Sequence, residues 1–144
     1  MKAVLDTNVL ISGLLWEGLP NEILALVKQG KIALHSSPEI IDELEAVLKR
    51  SKFSGRIAEL EVSIDELIAS ILTIAEIYSV ESTIEVIKED PDDNMFLACA
   101  FYSGAEYIIS GDKHLLNLGS YKRIEILSPR EFLKKAASEG NKGR

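Results

Sequence analysis

The hydrophobic pattern switches between short unbroken runs and helical spacing along the chain. Residues 2–5 form an apolar run that ends at Asp6-Thr7-Asn8, as a buried strand does where it turns into a helix. Residues 8–15 read as that helix. Pro20 stands where a first helical turn tolerates proline, and Ile23, Leu24, Leu26 and Val27 carry a second helix to Gly30. Residues 31–35 read as a second strand. Ser36-Ser37-Pro38-Glu39 then supplies cap, proline and acid in helix-start order. Ile40, Ile41, Leu44, Val47 and Leu48 keep that helix amphipathic to about Arg50. After a polar break, residues 63–76 read as a helix with Ile64, Leu67, Ile68, Ile71 and Leu72 on one side. Residues 77–80 are the expected third strand, with 84–87 as a candidate extension. Asp90-Pro91-Asp92-Asp93 opens another helix, and 106–110 and 124–127 read as the fourth and fifth strands. Ser128-Pro129-Arg130-Glu131 starts a last helix carrying Phe132 and Leu133. Residues 138–144 read as a polar tail, leaving one domain over 1–137. Strands alternating with helices predict an α/β fold whose mainly parallel sheet is covered on both faces.

Ligands bind such sheets beyond the carboxyl ends of the strands, and acids gather there. Asp6 follows the first strand and Asp112 the fourth; Asp90, Asp92 and Asp93 follow the third, and Glu43 lies in the helix after the second. Each has an ordinary structural reading. Asp6 and Asp90 suit helix caps, Asp112 a turn beside Gly111, and Glu43 a solvated helix face. Spacing separates them further. Asp93 lies in line with Phe96, Leu97 and Ala100, so it heads the core-facing stripe of its helix, where a carboxylate needs a partner. Asp92 points elsewhere, towards solvent or a supporting role. Glu43 sits at the edge of the stripe of Ile40, Leu44, Val47 and Leu48; Asp42 lies nearly opposite, and Glu45 borders the other edge. Carboxylates crowded at one crevice raise one another's pKa, and a bound divalent cation resolves the repulsion. Oxygen ligands without cysteine suit Mg²⁺ or Mn²⁺, which can activate water and stabilise a leaving oxygen in phosphodiester hydrolysis.

Composition narrows the classes. The 144 residues are 47% hydrophobic and 27% charged, the balance of a folded domain. A net charge of −7 argues against a broad basic face for nucleic acid. A single cysteine, Cys99, excludes an internal disulfide framework and a cysteine zinc site. Residues 67–75 are the longest near-apolar run, too short to span a bilayer, and Asp6 interrupts any signal-peptide core. An intracellular, cytoplasmic protein without membrane attachment is expected. His35 and His114 have no serine or cysteine at nucleophile spacing and read as structural. Trp16 and Leu19 are expected in the core, with an interface as the alternative. Lys49, Arg50, Lys52 and Arg56 read as the cationic end of a helix or as an RNA-backbone contact. Arg50 follows Glu43 by seven residues on the same stripe; Lys113, Lys142 and Arg144 are weaker candidates.

Four motifs in order carry a family resemblance. They are Val4-Leu5-Asp6-Thr7-Asn8-Val9-Leu10-Ile11-Ser12, Ser37-Pro38-Glu39-Ile40-Ile41-Asp42-Glu43-Leu44, Asp90-Pro91-Asp92-Asp93-Asn94-Met95-Phe96-Leu97, and Ala105-Glu106-Tyr107-Ile108-Ile109-Ser110-Gly111-Asp112-Lys113-His114-Leu115-Leu116. With these the chain resembles the PIN-domain nucleases, most closely the VapC-like toxins of toxin–antitoxin pairs, from Met1 to about Phe132. The resemblance implies a three-layer α/β/α sandwich and cleavage of RNA with Mg²⁺ or Mn²⁺. It further implies association as a homodimer or higher oligomer, and inhibition by an antitoxin. It assigns Asp6, Glu43, Asp93 and Asp112 to the acidic metal-binding quartet, with Ser110 and Asn8 beside it and Asp92 as a helper or substitute for Asp93. An RNA-processing nuclease without an antitoxin, or a non-catalytic RNA-binding protein on the same fold, are the alternative readings.

Overall fold

The computed structural model describes residues 1–142. In chain order the elements are β1 (Lys2–Leu5), α1 (Thr7–Leu15), α2 (Leu19–Lys28), β2 (Ala33–Ser36), α3 (Pro38–Leu48), α4 (Ser51–Glu59), α5 (Ile64–Ile74) and β3 (Ala75–Ile77). A single 3₁₀ turn, Pro91–Asp93, leads into α6 (Asn94–Ser103), followed by β4 (Tyr107–Ile109), α7 (Lys113–Leu118), β5 (Ser120–Tyr121), β6 (Ile124–Leu127) and α8 (Pro129–Lys142).

The strands form one sheet in the order β3-β2-β1-β4-β6-β5, parallel except for the short β5–β6 hairpin. Ala3, Val4, Leu5, Ile108 and Ile109 are almost wholly buried, as central parallel strands covered on both faces require. α6 packs across β1, β2 and β4, and the right-handed rule for parallel crossovers sets α1 and α2 on the opposite face. α8 packs on α2, and α3 touches both α1 and α6. The result is a three-layer α/β/α sandwich. The chain leaves β1 towards β2 and leaves β4 towards β6, so the direction of winding reverses between β1 and β4. That reversal opens a crevice at their carboxyl ends.

The interior follows the hydrophobic pattern. Leu10, Ile23, Ile40, Leu44, Leu97, Ile108 and Phe132 are fully or almost fully buried around the sheet. α1 and α2 approach closely at Gly13, where a Cβ would stand 2.7 Å from Leu24 Cδ1. Cys99 is wholly buried, and burial pushes its thiol up to about 12, which makes it an inert core residue.

Several expectations need correction. The segment read as a polar break contains α4, anchored by Phe53 and Ile57 four residues apart. The third strand begins at Ala75 directly out of α5, not at 77, and residues 84–87 form no strand. There the Asn94 side chain accepts the N–H groups of Val86 and Ile87 and donates to the Ile87 carbonyl at 2.8 Å. These bonds satisfy the backbone groups that a sheet partner would take. α8 continues through Lys142, past the point where the polar tail was expected, and residues 143–144 lie outside the described ones. Trp16 is 43% exposed, against Phe53 and the Arg56 guanidinium, and is not a core residue; Leu19 is half-buried. No single helix among the described residues is long and apolar enough to cross a membrane.

Candidate metal centre

The β1–β4 crevice is acidic because of where the strands end. Asp6 is the first residue after β1, and its backbone N–H still bonds the Ile109 carbonyl of β4 at 3.1 Å. Its side chain caps α1, Oδ1 accepting the Val9 N–H at 2.8 Å. Its other oxygen, Oδ2, accepts from the Ser110 hydroxyl, which stands one residue beyond β4. The same Ser110 oxygen accepts the Asp112 N–H at 2.9 Å. Asp112 caps α7, with Oδ1 accepting from His114 N at 2.8 Å and Leu115 N at 3.3 Å. The capping roles and the crevice roles are therefore compatible. A cap engages one face of each carboxylate and fixes its direction.

Asp93 arrives from the other side, at the junction of the 3₁₀ turn and α6. It is 7% exposed, above the buried Phe96, Leu97 and Ala100, as the stripe on that helix predicts. Its Oδ2 is buried without a hydrogen-bond partner. Asp90, Asp93 and Asp112 each offer an oxygen within 4.8 Å of the others. Asp90 was read as a helix cap, but its side chain makes no capping bond and is free to join this group. The sequence places Asp90 among the acids at the strand ends, but Asp-Pro-Asp-Asp makes so good a helix start that the cap role accounts for it there.

A cavity of about 130 Å³ is lined by Asp6, Thr7, Asn8, Glu43, Val47, Arg50, Asp90, Asp92, Asp93, Phe96 and Asp112. All four expected quartet positions thus share one cavity, with Asn8, Asp92 and Arg50 at its wall. Glu43 is the acid of α3 that turns inward. Its Oε2 accepts the Thr7 hydroxyl at 2.5 Å, while Asp42 is exposed and Glu45 pairs with Lys49. Thr7 is a residue missed at the sequence level; its only signal was its place beside Asp6. Asp92 is exposed, so Asp93 is the inner member of that pair. Ser110 lies behind Asp6 and outside the cavity wall, and Lys113 is exposed and does not line it. Arg56 donates to the Leu15 carbonyl at 2.7 Å and to Glu59, which makes it a structural cation. The Lys142 side chain and Arg144 lie outside the described residues.

Electrostatics reflect the crowding. Burial pushes Asp6 up to about 6; bonds from Ser110 and Val9 oppose the rise, and the charges of Asp112 and Glu43 add to it. Burial also drives Asp93 up to about 8, aided by a proton shared with Asp112 and by the charges of Asp112, Asp90 and Asp6. For Asp112, burial alone would raise the carboxyl. The bond shared with Asp93 and the N–H groups of His114 and Leu115 outweigh burial and hold it below the usual range. Asp93 and Asp112 thus behave as a pair that retains one proton near neutrality. An oxygen-only donor set, an unpartnered buried carboxylate oxygen and a retained proton suit displacement of that proton by a hard divalent cation.

A three-layer α/β/α domain with an acidic cavity at its winding reversal defines a class in which chemistry sits beyond the strand ends. The PIN domain model matches residues 2–114, and the chain belongs to the PIN domain family, a family of nucleases. The uncharacterized protein MJ1680 of Methanocaldococcus jannaschii is 32% identical in an alignment 142 positions long that covers 92% of this chain and 90% of that protein. The crystal structure of VapBC2 from Rickettsia felis bound to a DNA fragment from their promoter contains a chain of similar fold. Its TM-score is 0.54 at 14% identity, covering 88% of this chain and 97% of that one.

Proposed function

We propose that this protein is a divalent-metal-dependent endoribonuclease acting as the toxin of a toxin–antitoxin pair. The observation that carries the chemical part is the buried, unpartnered Asp93 Oδ2 beside Asp90 and Asp112. A buried carboxyl oxygen left without a partner costs stability, and a site that keeps one is fitted for a cation.

Asp90, Asp93 and Asp112 would hold Mg²⁺ or Mn²⁺, with Asp6 and Glu43 lining the same cavity. When bound, such an ion neutralises phosphate charge and lowers the pKa of water. The chain's own residues do the rest. Ser110 fixes the Asp6 carboxylate, and Thr7 fixes Glu43, so both acids keep one orientation while substrate enters. Asp6 and Glu43 are placed to accept a proton at a carboxylate oxygen. Arg50, exposed at the cavity wall, supplies a cation for the RNA backbone, and Asn8 a neutral polar contact. Asp92, outside the buried pair, tunes the rim.

The toxin part draws on the family and on the fold shared with a chain of the VapBC2 structure. An antitoxin partner, assembly as a homodimer or larger oligomer, and a cytoplasmic location go with this reading. The test is single-stranded RNA incubated with purified protein in Mn²⁺, Mg²⁺ or a chelator. Metal-dependent cleavage that stops when the product of an adjacent small reading frame is added supports the whole reading. Cleavage that this product leaves unchanged supports a processing nuclease, and no cleavage in either metal contradicts the enzyme assignment.

A further inference from the structure

A second cavity, of about 540 Å³, lies between residues 80–85 and α6. Its floor is apolar, made by Val80, Ile84, Pro91, Met95 and Ala98. Its rim is not. Glu39 from α3, Glu81 and Glu85 from the connecting segment, and Asp92 all line it, and among the described residues lining it none is basic. Glu39, Glu81, Glu85 and Asp92 are each exposed, and no ion pair among the described residues engages them. The segment that forms the outer wall is held in place, by the three Asn94 bonds to Val86 and Ile87 and by a 2.9 Å bond between Ser82 Oγ and Tyr102 Oη. The groove is thus a formed feature of the surface.

We infer that this groove docks a basic amphipathic segment of a partner protein. An apolar floor rewards an occupant with aliphatic side chains, at about 25 cal/mol per Å² removed from water. Four unpaired carboxylates around it select lysine or arginine at the edges and repel phosphate, which disfavours RNA and anionic lipid. The volume suits a few side chains, as a short peptide segment provides, and not a folded surface. The inference stands apart from the nuclease reading, because its ligand, its surface and its readout involve no RNA and no metal. The groove meets the metal cavity only at Asp92, which lines both.

The experiment measures fluorescence anisotropy of a labelled ten-residue peptide alternating leucine with arginine, with the metal-free protein. Three probes accompany it: a peptide of serine and arginine with the same charge, spermidine as competitor, and single-stranded RNA. The inference expects saturable binding of the leucine–arginine peptide, at least tenfold tighter than the serine–arginine peptide. The variant Glu39→Gln/Glu81→Gln/Glu85→Gln should weaken it at least tenfold. Glu17→Gln/Glu22→Gln/Glu59→Gln, with the same change in net charge on exposed positions elsewhere, should weaken it less than twofold. Ile84→Ser, which alters the floor alone, should weaken it severalfold, with folding of each variant checked by its melting curve. Equal binding of both peptides, full competition by spermidine at charge-matched concentration, equal loss in both glutamine variants, or preferential binding of RNA would overturn the inference. So would sedimentation showing a dimer that only the rim variant dissociates, since the groove would then be occupied by a second copy of the chain.

Discussion

The Ser110 hydroxyl donates to the buried carboxylate of Asp6 across the junction of β1 and β4. This bond joins two strand ends 104 residues apart in sequence and sits directly behind the candidate metal centre. Ser110 is wholly buried and Asp6 is 3% exposed, so the bond lies away from bulk solvent. Removing it leaves a buried acceptor under-satisfied, at a cost of about 1–3 kcal/mol. Ser110→Ala should lower the unfolding free energy by that amount in denaturant titrations and raise the Asp6 pKa further above about 6. A change below about 0.5 kcal/mol would place the Asp6 contribution elsewhere.

The Asp93–Asp112 pair predicts an unusual pH dependence of stability without metal. Asp93 is raised from 3.8 to about 8, so between those values the folded state holds a proton that the unfolded state has lost. Stability from this group is therefore full below about pH 4 and is lost as pH rises through about 8. Asp6, raised to about 6, acts in the same direction over a narrower window. The melting temperature of the metal-free protein should respond accordingly. Asp93→Asn, which is neutral at every pH, should melt above wild type at pH 8.5, with the gap closing towards pH 5. A gap that widens on acidification would contradict the raised pKa.

Asp90 and Asp92 make opposite predictions although both are exposed to some degree in one short motif. Asp90 offers an oxygen to the group formed with Asp93 and Asp112, and Asp92 does not. Asp90→Asn should weaken Mn²⁺ binding by about tenfold or more in calorimetry, whereas Asp92→Asn should stay within a few-fold of wild type. The reverse order would move the centre outward along the rim.

Asn94 ties the 80s segment to α6 through three bonds to Val86 and Ile87. Asn94→Ala should destabilise the protein by about 1–3 kcal/mol and accelerate amide exchange at Val86 and Ile87 before any other buried site. Unchanged exchange at those two amides would show that Ile87, itself buried, holds the segment without help.

The sequence made much of this legible, and its failures have identifiable causes. α1, α3 and α8 were readable from their caps, since Asp6 caps α1, Ser37 caps α3 and Ser128 caps α8, whereas β1 was readable from its apolar run and α6 from its stripe alone, its expected cap being absent. α4 hid because only Phe53 and Ile57 face inward and Gly55 sits between them. The β5–β6 hairpin hid because its turn, Lys122-Arg123, lacks the glycine or asparagine that marks such turns, although Lys122 takes a φ of 54°. At the centre, Asp93 was found by its stripe and Asp6 by its strand end. Spacing along α3 favoured Glu43 without deciding between it and its neighbours, and the Thr7 hydroxyl settles which acid turns inward. Asp90 was placed at the strand ends but kept out of the quartet, because a local rule, the helix cap, accounted for it as well as a tertiary contact did.

The most direct test of the central claim compares wild type with Asp93→Asn on a labelled single-stranded RNA in Mn²⁺, in Mg²⁺ and in chelator, with circular dichroism on the same preparations. The account predicts cleavage in metal, none in chelator, and a loss of more than about a hundredfold in the folded variant, beyond what loss of an outer-shell partner costs. Cleavage by Asp93→Asn at near wild-type rate, or cleavage that persists in chelator, would contradict it.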